Sequence, residues 1–123
     1  MFAEIMKKIS KERIEKFSEM INGIDKITKN EYIEMFLEHF LGNNFKSSSF
    51  EDDQFKKYWN VKIDSVSLCE PEIQFFHDIL NLDNNNFIED CIDVYNNTNN
   101  LSNCQLGFEI IQILTTSKTI TIE

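Results

Sequence analysis

The sequence predicts a mainly helical, single-domain bundle of about five helices, with an α+β arrangement as the alternative. Three observations lead there. Glycine and proline are scarce, three and one in 123 residues, which leaves few tight turns for a β-sandwich. Eleven phenylalanines in a chain that is 41% hydrophobic supply bulky apolar surface for a core. Apolar residues also recur at helical spacing along most of the chain. The length suits one domain spanning residues 1–123.

The first helix is expected over residues 2–22, where Phe2, Ile5, Met6, Ile9, Phe17, Met20, Ile21 and Ile24 share a broad face. Glu4–Lys8 and Glu12–Lys16 are i,i+4 pairs in the favourable order, and Gly23 is a stop. Thr28 and Glu31 form a capping-box pattern that opens a second helix over 29–41. Tyr32, Ile33, Phe36, Leu37, Phe40 and Leu41 are its inner side, and Gly42 ends it. Asn43–Ser49 reads as a polar connection, with Ser49 capping a third helix that runs to about Asn60 and buries Phe55, Tyr58 and Trp59.

Val61–Leu68 is rich in β-branched residues and reads as a short strand. Pro71, at the first helical position, opens a helix over 71–81 with Ile73, Phe76, Ile79 and Leu80 inward. Asn84, Asn85 and Asn86 form a loop and cap before an amphipathic helix over 86–96. Its inner face is Phe87, Ile88, Cys91, Ile92 and Tyr95; its outer face is Glu89, Asp90 and Asp93. Asn96–Asn103 is a loop. Leu106, Ile110, Ile113 and Leu114 fit a helical stripe or a buried strand. Thr119–Ile122 alternates like a strand, either closing a C-terminal hairpin at Thr116–Lys118 or trailing as an extended tail.

Charge is distributed unevenly. Residues 1–62 hold 11 basic and 11 acidic residues, so the formal net charge of −9 comes entirely from the rest of the chain. Residues 63–117 contain no lysine or arginine but nine carboxylates: Asp64, Glu70, Glu72, Asp78, Asp83, Glu89, Asp90, Asp93 and Glu109. A face kept acidic only for solubility usually intersperses bases that relieve self-repulsion. Lys118 is the one base after Lys62. The pattern therefore points to a basic partner. It argues against nucleic acid, whose affinity comes from lysine and arginine on phosphates, and against anionic membranes. The N-terminus lacks the apolar stretch of a signal peptide, and no apolar run approaches the ~20 residues that span a bilayer. A cytoplasmic protein with three free cysteines is the expectation.

Catalytic and cofactor patterns are weak. His39, His77, Cys69, Cys91 and Cys104 are the candidates, and a Cys91–His77 pairing has nothing in the spacing to demand it. A core cysteine and surface histidines on amphipathic helices explain them more simply. Asn81–Ile92 starts like a calcium loop, with oxygen ligands at Asn81, Asp83 and Asn85, but has Asn86 where glycine belongs and Ile92 where a bidentate glutamate belongs. The cysteines lack zinc-type spacing, and the glycines form no phosphate loop. No cofactor, metal or enzymatic activity is expected.

In size, acidity, asparagine and phenylalanine content and absence of catalytic motifs, the chain resembles bacterial immunity proteins. These accompany contact-dependent growth-inhibition toxins, colicins and other polymorphic toxins. The resemblance implies one-to-one inhibition of a cognate toxin domain, often by covering its active site. The charge map itself supplies the expected contact residues: Asp78, Glu89, Asp90 and Asp93, with Glu70, Glu72 and Tyr95 beside them. The partner expected is a cationic protein, foremost a nuclease toxin whose cleft is positive to hold phosphates. The alternatives are a phage-encoded inhibitor of a host nuclease and an adaptor that uses apolar surface.

Overall fold

A mainly helical chain is what the structure shows, with six α-helices among the described residues. A computed structural model describes residues 2–42, 50–83 and 85–123. The order is α1 (Phe2–Ile21), β1 (Lys26–Ile27), α2 (Lys29–Leu41), α3 (Asp52–Ser65), α4 (Glu70–Leu80), α5 (Phe87–Asn97), α6 (Gly107–Thr116) and β2 (Thr121–Ile122). Short 3₁₀ turns at Leu101–Asn103 and Ser117–Thr119 flank α6. The connection 43–49, the cap expected at Ser49, Asn84, and the side chains of Phe2 and Met6 lie outside the described residues.

The capping signals at α2 act as the sequence implies. Thr28 Oγ1 accepts the Glu31 amide at 3.2 Å and donates to the Glu31 carboxylate at 2.8 Å. At the other end Gly42 takes φ +63° and donates its N–H to Glu38 O, a left-handed conformation that side chains rarely adopt. Between the caps, Tyr32, Ile33, Phe36, Leu37 and Leu41 are buried. Phe36 sits at the centre of an aromatic network, with ring centroids 4.9–6.3 Å from Tyr32, Phe40, Phe75 and Phe76. Phe17 of α1, Phe55 and Trp59 of α3, Phe87 of α5 and Ile110 and Ile113 of α6 complete one continuous core.

Two expectations are corrected, and the open alternative at the C-terminus is decided for the final helix with an extended tail. Val61–Leu68 is not a strand: α3 continues through Ser65, because Phe55, Trp59 and Ile63 repeat every fourth residue and all three are buried. Burial of that stripe overrides the β propensity of Val61 and Ile63. Tyr58, expected inside with Trp59, is only half-buried and packs edge-on against Trp59 and Phe50. The C-terminus forms no hairpin. Residues 107–116 are helical, so β2 instead pairs in parallel with β1, Lys26 opposite Thr121 and Ile27 opposite Ile122. This pairing fastens the chain end beside the α1–α2 turn.

The stripe of α1 is buried only in part. Phe17 and Ile21 are inside, whereas Ile5, Ile9 and Met20 are exposed. Periodicity marks the face that would be buried, but burial needs a neighbour over it. Helix α1 packs mainly on α6, α5 on both α4 and α6, and α3 on both α2 and α4.

Candidate functional site

Helix α5 carries the acidic face. Asn86 takes φ +55° ahead of it, and Phe87, Ile88 and Cys91 fix its inner side to the core. That anchoring turns Glu89 and Asp93 to solvent as an i,i+4 pair, with Asp90 half-buried beside them. Glu89 and Asp90 lie in the first turn, where the helix dipole favours acids. Lys118 reaches this face: its Nζ is 3.8 Å from Glu89 Oε1, a pair open to solvent and worth about 0–1 kcal/mol. Asp93 has no ion pair among the described residues.

Helix α4 contributes less than expected. It starts at Glu70, so Pro71 is its second residue rather than its first. Glu70 is exposed, whereas Asp78 is half-buried and accepts a hydrogen bond from Gln74 Nε2 at 2.8 Å. Tyr95 is half-buried, with its ring edge-on to Phe75 at 6.4 Å, and burial raises its hydroxyl pKa. Glu72 is a correction. It is 3% exposed, and its oxygens accept the amide N–H groups of Cys69 at 2.9 Å and Leu106 at 3.0 Å. Those two amides need a fixed acceptor, so this carboxylate is an internal clasp and has no place on a docking face.

Glu109 has also left the acidic surface. It is buried, 3.2 Å from Arg13 Nε, and accepts a hydrogen bond from Ser10 Oγ at 3.0 Å. His39 lies beside it, with Nε2 3.8 Å from Glu109 Oε2 and its ring against Phe17 and Phe40. Loss of solvent, then the charges of Arg13 and Lys16, lower His39 to a pKa of about 4. The other expected surface histidine, His77, bridges α4 to α3, its Nδ1 meeting Asn60 Oδ1 and its Nε2 lying 2.8 Å from Asp64. Both ring nitrogens thus face oxygens of α3, and Cys91 sits in the core with its thiol pushed up by burial. A Cys91–His77 pair is not what this geometry builds.

At the calcium-like stretch, Asn81 ends α4 and donates from Nδ2 to His77 O, while Ile92 belongs to α5. A different group comes together: the sulfurs of Cys69 and Cys104 and a carboxylate oxygen of Glu72 lie within 4.8 Å of one another. The two cysteines lie 35 positions apart, which hides this juxtaposition in the sequence. A second feature missed by sequence reading is a cleft of about 960 Å³ bounded by Glu31, Glu34, Glu38, Asp52 and Glu123. Lys29 also lines it, and two of its acids have partners within the chain. Glu31 holds Thr28, and Asp52 accepts from Asn30 and pairs with Lys56 at 3.3 Å. No helix among the described residues is long and apolar enough to cross a membrane.

The chain is 34% identical over 122 residues to uncharacterized protein R828 of Acanthamoeba polyphaga mimivirus, covering 98% of both chains. It belongs to the R828 family. No family model and no solved structure matches it. The R828 relative is viral and its name assigns no activity, so neither an immunity role nor a bacterial source draws support from it.

Proposed function

We propose that this protein binds a cationic protein partner through the outer face of α5, with Glu89, Asp90 and Asp93 as its centre and Glu70 at its margin. One observation carries the reading. Residues 63–117 place exposed carboxylates on a core-anchored helix and provide no base of their own to neutralise them. Rigid carboxylates of this kind meet arginine and lysine in short charge-assisted bonds and steer association by opposite fields. Within this reading the role is inhibition. A nuclease, toxin or host enzyme, must keep a positive cleft for phosphates, and an acidic helix can occupy that cleft in their place. Asp78 and Tyr95, both half-buried, would contribute only at the rim.

A second reading draws on the exposed side chains of Ile9 and Phe108, which adjoin the Ser10–Glu109 hydrogen bond between α1 and α6. An adaptor would use such apolar surface. Salt separates the two readings. Capture of partners at low ionic strength, followed by association kinetics at rising salt, should show a steep fall in on-rate for the acidic face. Asp93→Lys lies beyond the first turn of α5, so it spares the acids that favour the helix dipole. It should slow association with a protein partner at least several-fold while leaving the melting temperature within a degree or two. Binding that ignores both salt and Asp93→Lys would reject the acidic-face reading in favour of the apolar one.

A further inference from the structure

We propose that Cys69, Glu72 and Cys104 bind a single soft divalent cation of the zinc class, stapling the start of α4 to the turn that leads into α6. This site is independent of the acidic face of α5.

The local structure assembles the three donors for separate reasons. Cys69 is the N-cap residue of α4, its sulfur accepting the amide of Glu72. Cys104 follows the 3₁₀ turn Leu101–Asn103, its thiol donating to Asn100 O at 3.4 Å. Glu72 lies between them with each carboxylate oxygen fixed by one backbone amide. Each oxygen has a further lone pair, so the clasp orients the carboxylate without using up its capacity to ligate.

The dimensions suit the ion. Two sulfurs on a tetrahedral zinc at ~2.3 Å stand about 3.8 Å apart, and the three donor atoms here already lie within 4.8 Å of one another. Thiolate donors favour zinc over magnesium or calcium. Cys69 is exposed, which gives the ion a route in and leaves a fourth position for solvent. Two thiolates and a carboxylate carry three negative charges against two on the metal. The role assigned to the ion is the link itself, joining two segments that lie 35 positions apart in the chain.

The cysteines ligate as thiolates, so binding releases protons and strengthens as pH rises.

The full chain, kept reduced and oxygen-free, is titrated with cobalt(II) and then zinc. One cobalt per chain with sulfur-to-metal charge-transfer absorption, displaced by zinc, is expected, together with a rise in melting temperature. Cys69→Ser is the decisive variant, because serine is a preferred N-cap and preserves the start of α4. It should abolish the charge-transfer spectrum and weaken zinc by more than the roughly 10–100-fold that loss of a supporting group costs, with the metal-free melting temperature kept. Cys91→Ser, in the core, should leave the cobalt spectrum unchanged. Absence of the sulfur bands, binding that survives Cys69→Ser, or a reduced chain that binds no cobalt while its oxidised form carries a Cys69–Cys104 disulfide would each overturn the site.

Discussion

Glu109 on α6 is ion-paired with Arg13 on α1, Oε2 to Nε at 3.2 Å, and the pair lies against the buried ring of His39. A glutamate counted from the sequence as part of an acidic surface thus serves inside the molecule as the polar link between the first and last helices. Its charge is committed to Arg13 and its second oxygen to Ser10. An unpaired buried carboxylate would be strongly destabilising, so Arg13 is required where Glu109 is buried.

The same arrangement makes His39 acid-sensitive. Its folded pKa, about 4, lies below the ordinary 6.5, so between those values the unfolded chain binds a proton that the folded chain does not. Stability from this group is fully present above pH 6.5 and is lost as pH falls toward 4, with a slope of at most about 1.4 kcal/mol per pH unit. Urea unfolding of the wild type and His39→Gln at steps from pH 7.5 to 4.5 checks this. The wild type should lose its advantage, or increase its disadvantage, relative to the variant as pH drops. Parallel curves would show that His39 is not the sensitive group.

A second buried polar link joins α2 to the end of α6. The Tyr32 hydroxyl donates to Ser117 Oγ at 2.7 Å, and Ser117 Oγ donates to Ile113 O at 2.7 Å. Burial keeps Tyr32 protonated, its pKa raised well above the phenolic range. Tyr32→Phe removes one hydrogen bond and leaves the serine still donating, a loss of about 0.5–1.5 kcal/mol. Ser117→Ala strands the tyrosine hydroxyl in the core, which costs about 1–3 kcal/mol. Denaturant midpoints should rank wild type above Tyr32→Phe and that above Ser117→Ala, with the double variant less unstable than the two losses added. The reverse ranking would contradict the bond as described.

The sequence made the helices legible where apolar spacing and caps agreed, as at Thr28, Gly42 and the Phe87–Cys91 stripe. It misled at Val61–Ser65 because β propensity is local, whereas the burial of Ile63 comes from the packing of α3 in the core. The parallel pairing of Lys26–Ile27 with Thr121–Ile122 left no local trace, since each strand is two residues long and its partner is at the far end of the chain. The acidic face was legible as a charge count, but not which acids reach solvent. Glu72 and Glu109 share residue type and neighbourhood with Glu70 and Glu89, and only tertiary contacts distinguish them. The Cys69–Glu72–Cys104 group was hidden for the same reason.

Gly107 shows how closely two segments meet at the entry to α6. A Cβ built there would lie 2.2 Å from Leu101 O and 3.1 Å from Ser102 Cα, both backbone atoms of the preceding 3₁₀ turn. Backbone cannot swing aside as a flexible side chain does, so Gly107→Ala must push α6 and the turn apart. In an exposed helix interior the same change would be stabilising, by up to about 1 kcal/mol. Here overpacking should dominate, with a loss of about 1–3 kcal/mol in urea unfolding. The displaced turn carries Cys104, so Gly107→Ala should also weaken zinc relative to the wild type. A neutral or stabilising Gly107→Ala would mean that the turn and α6 are not in contact.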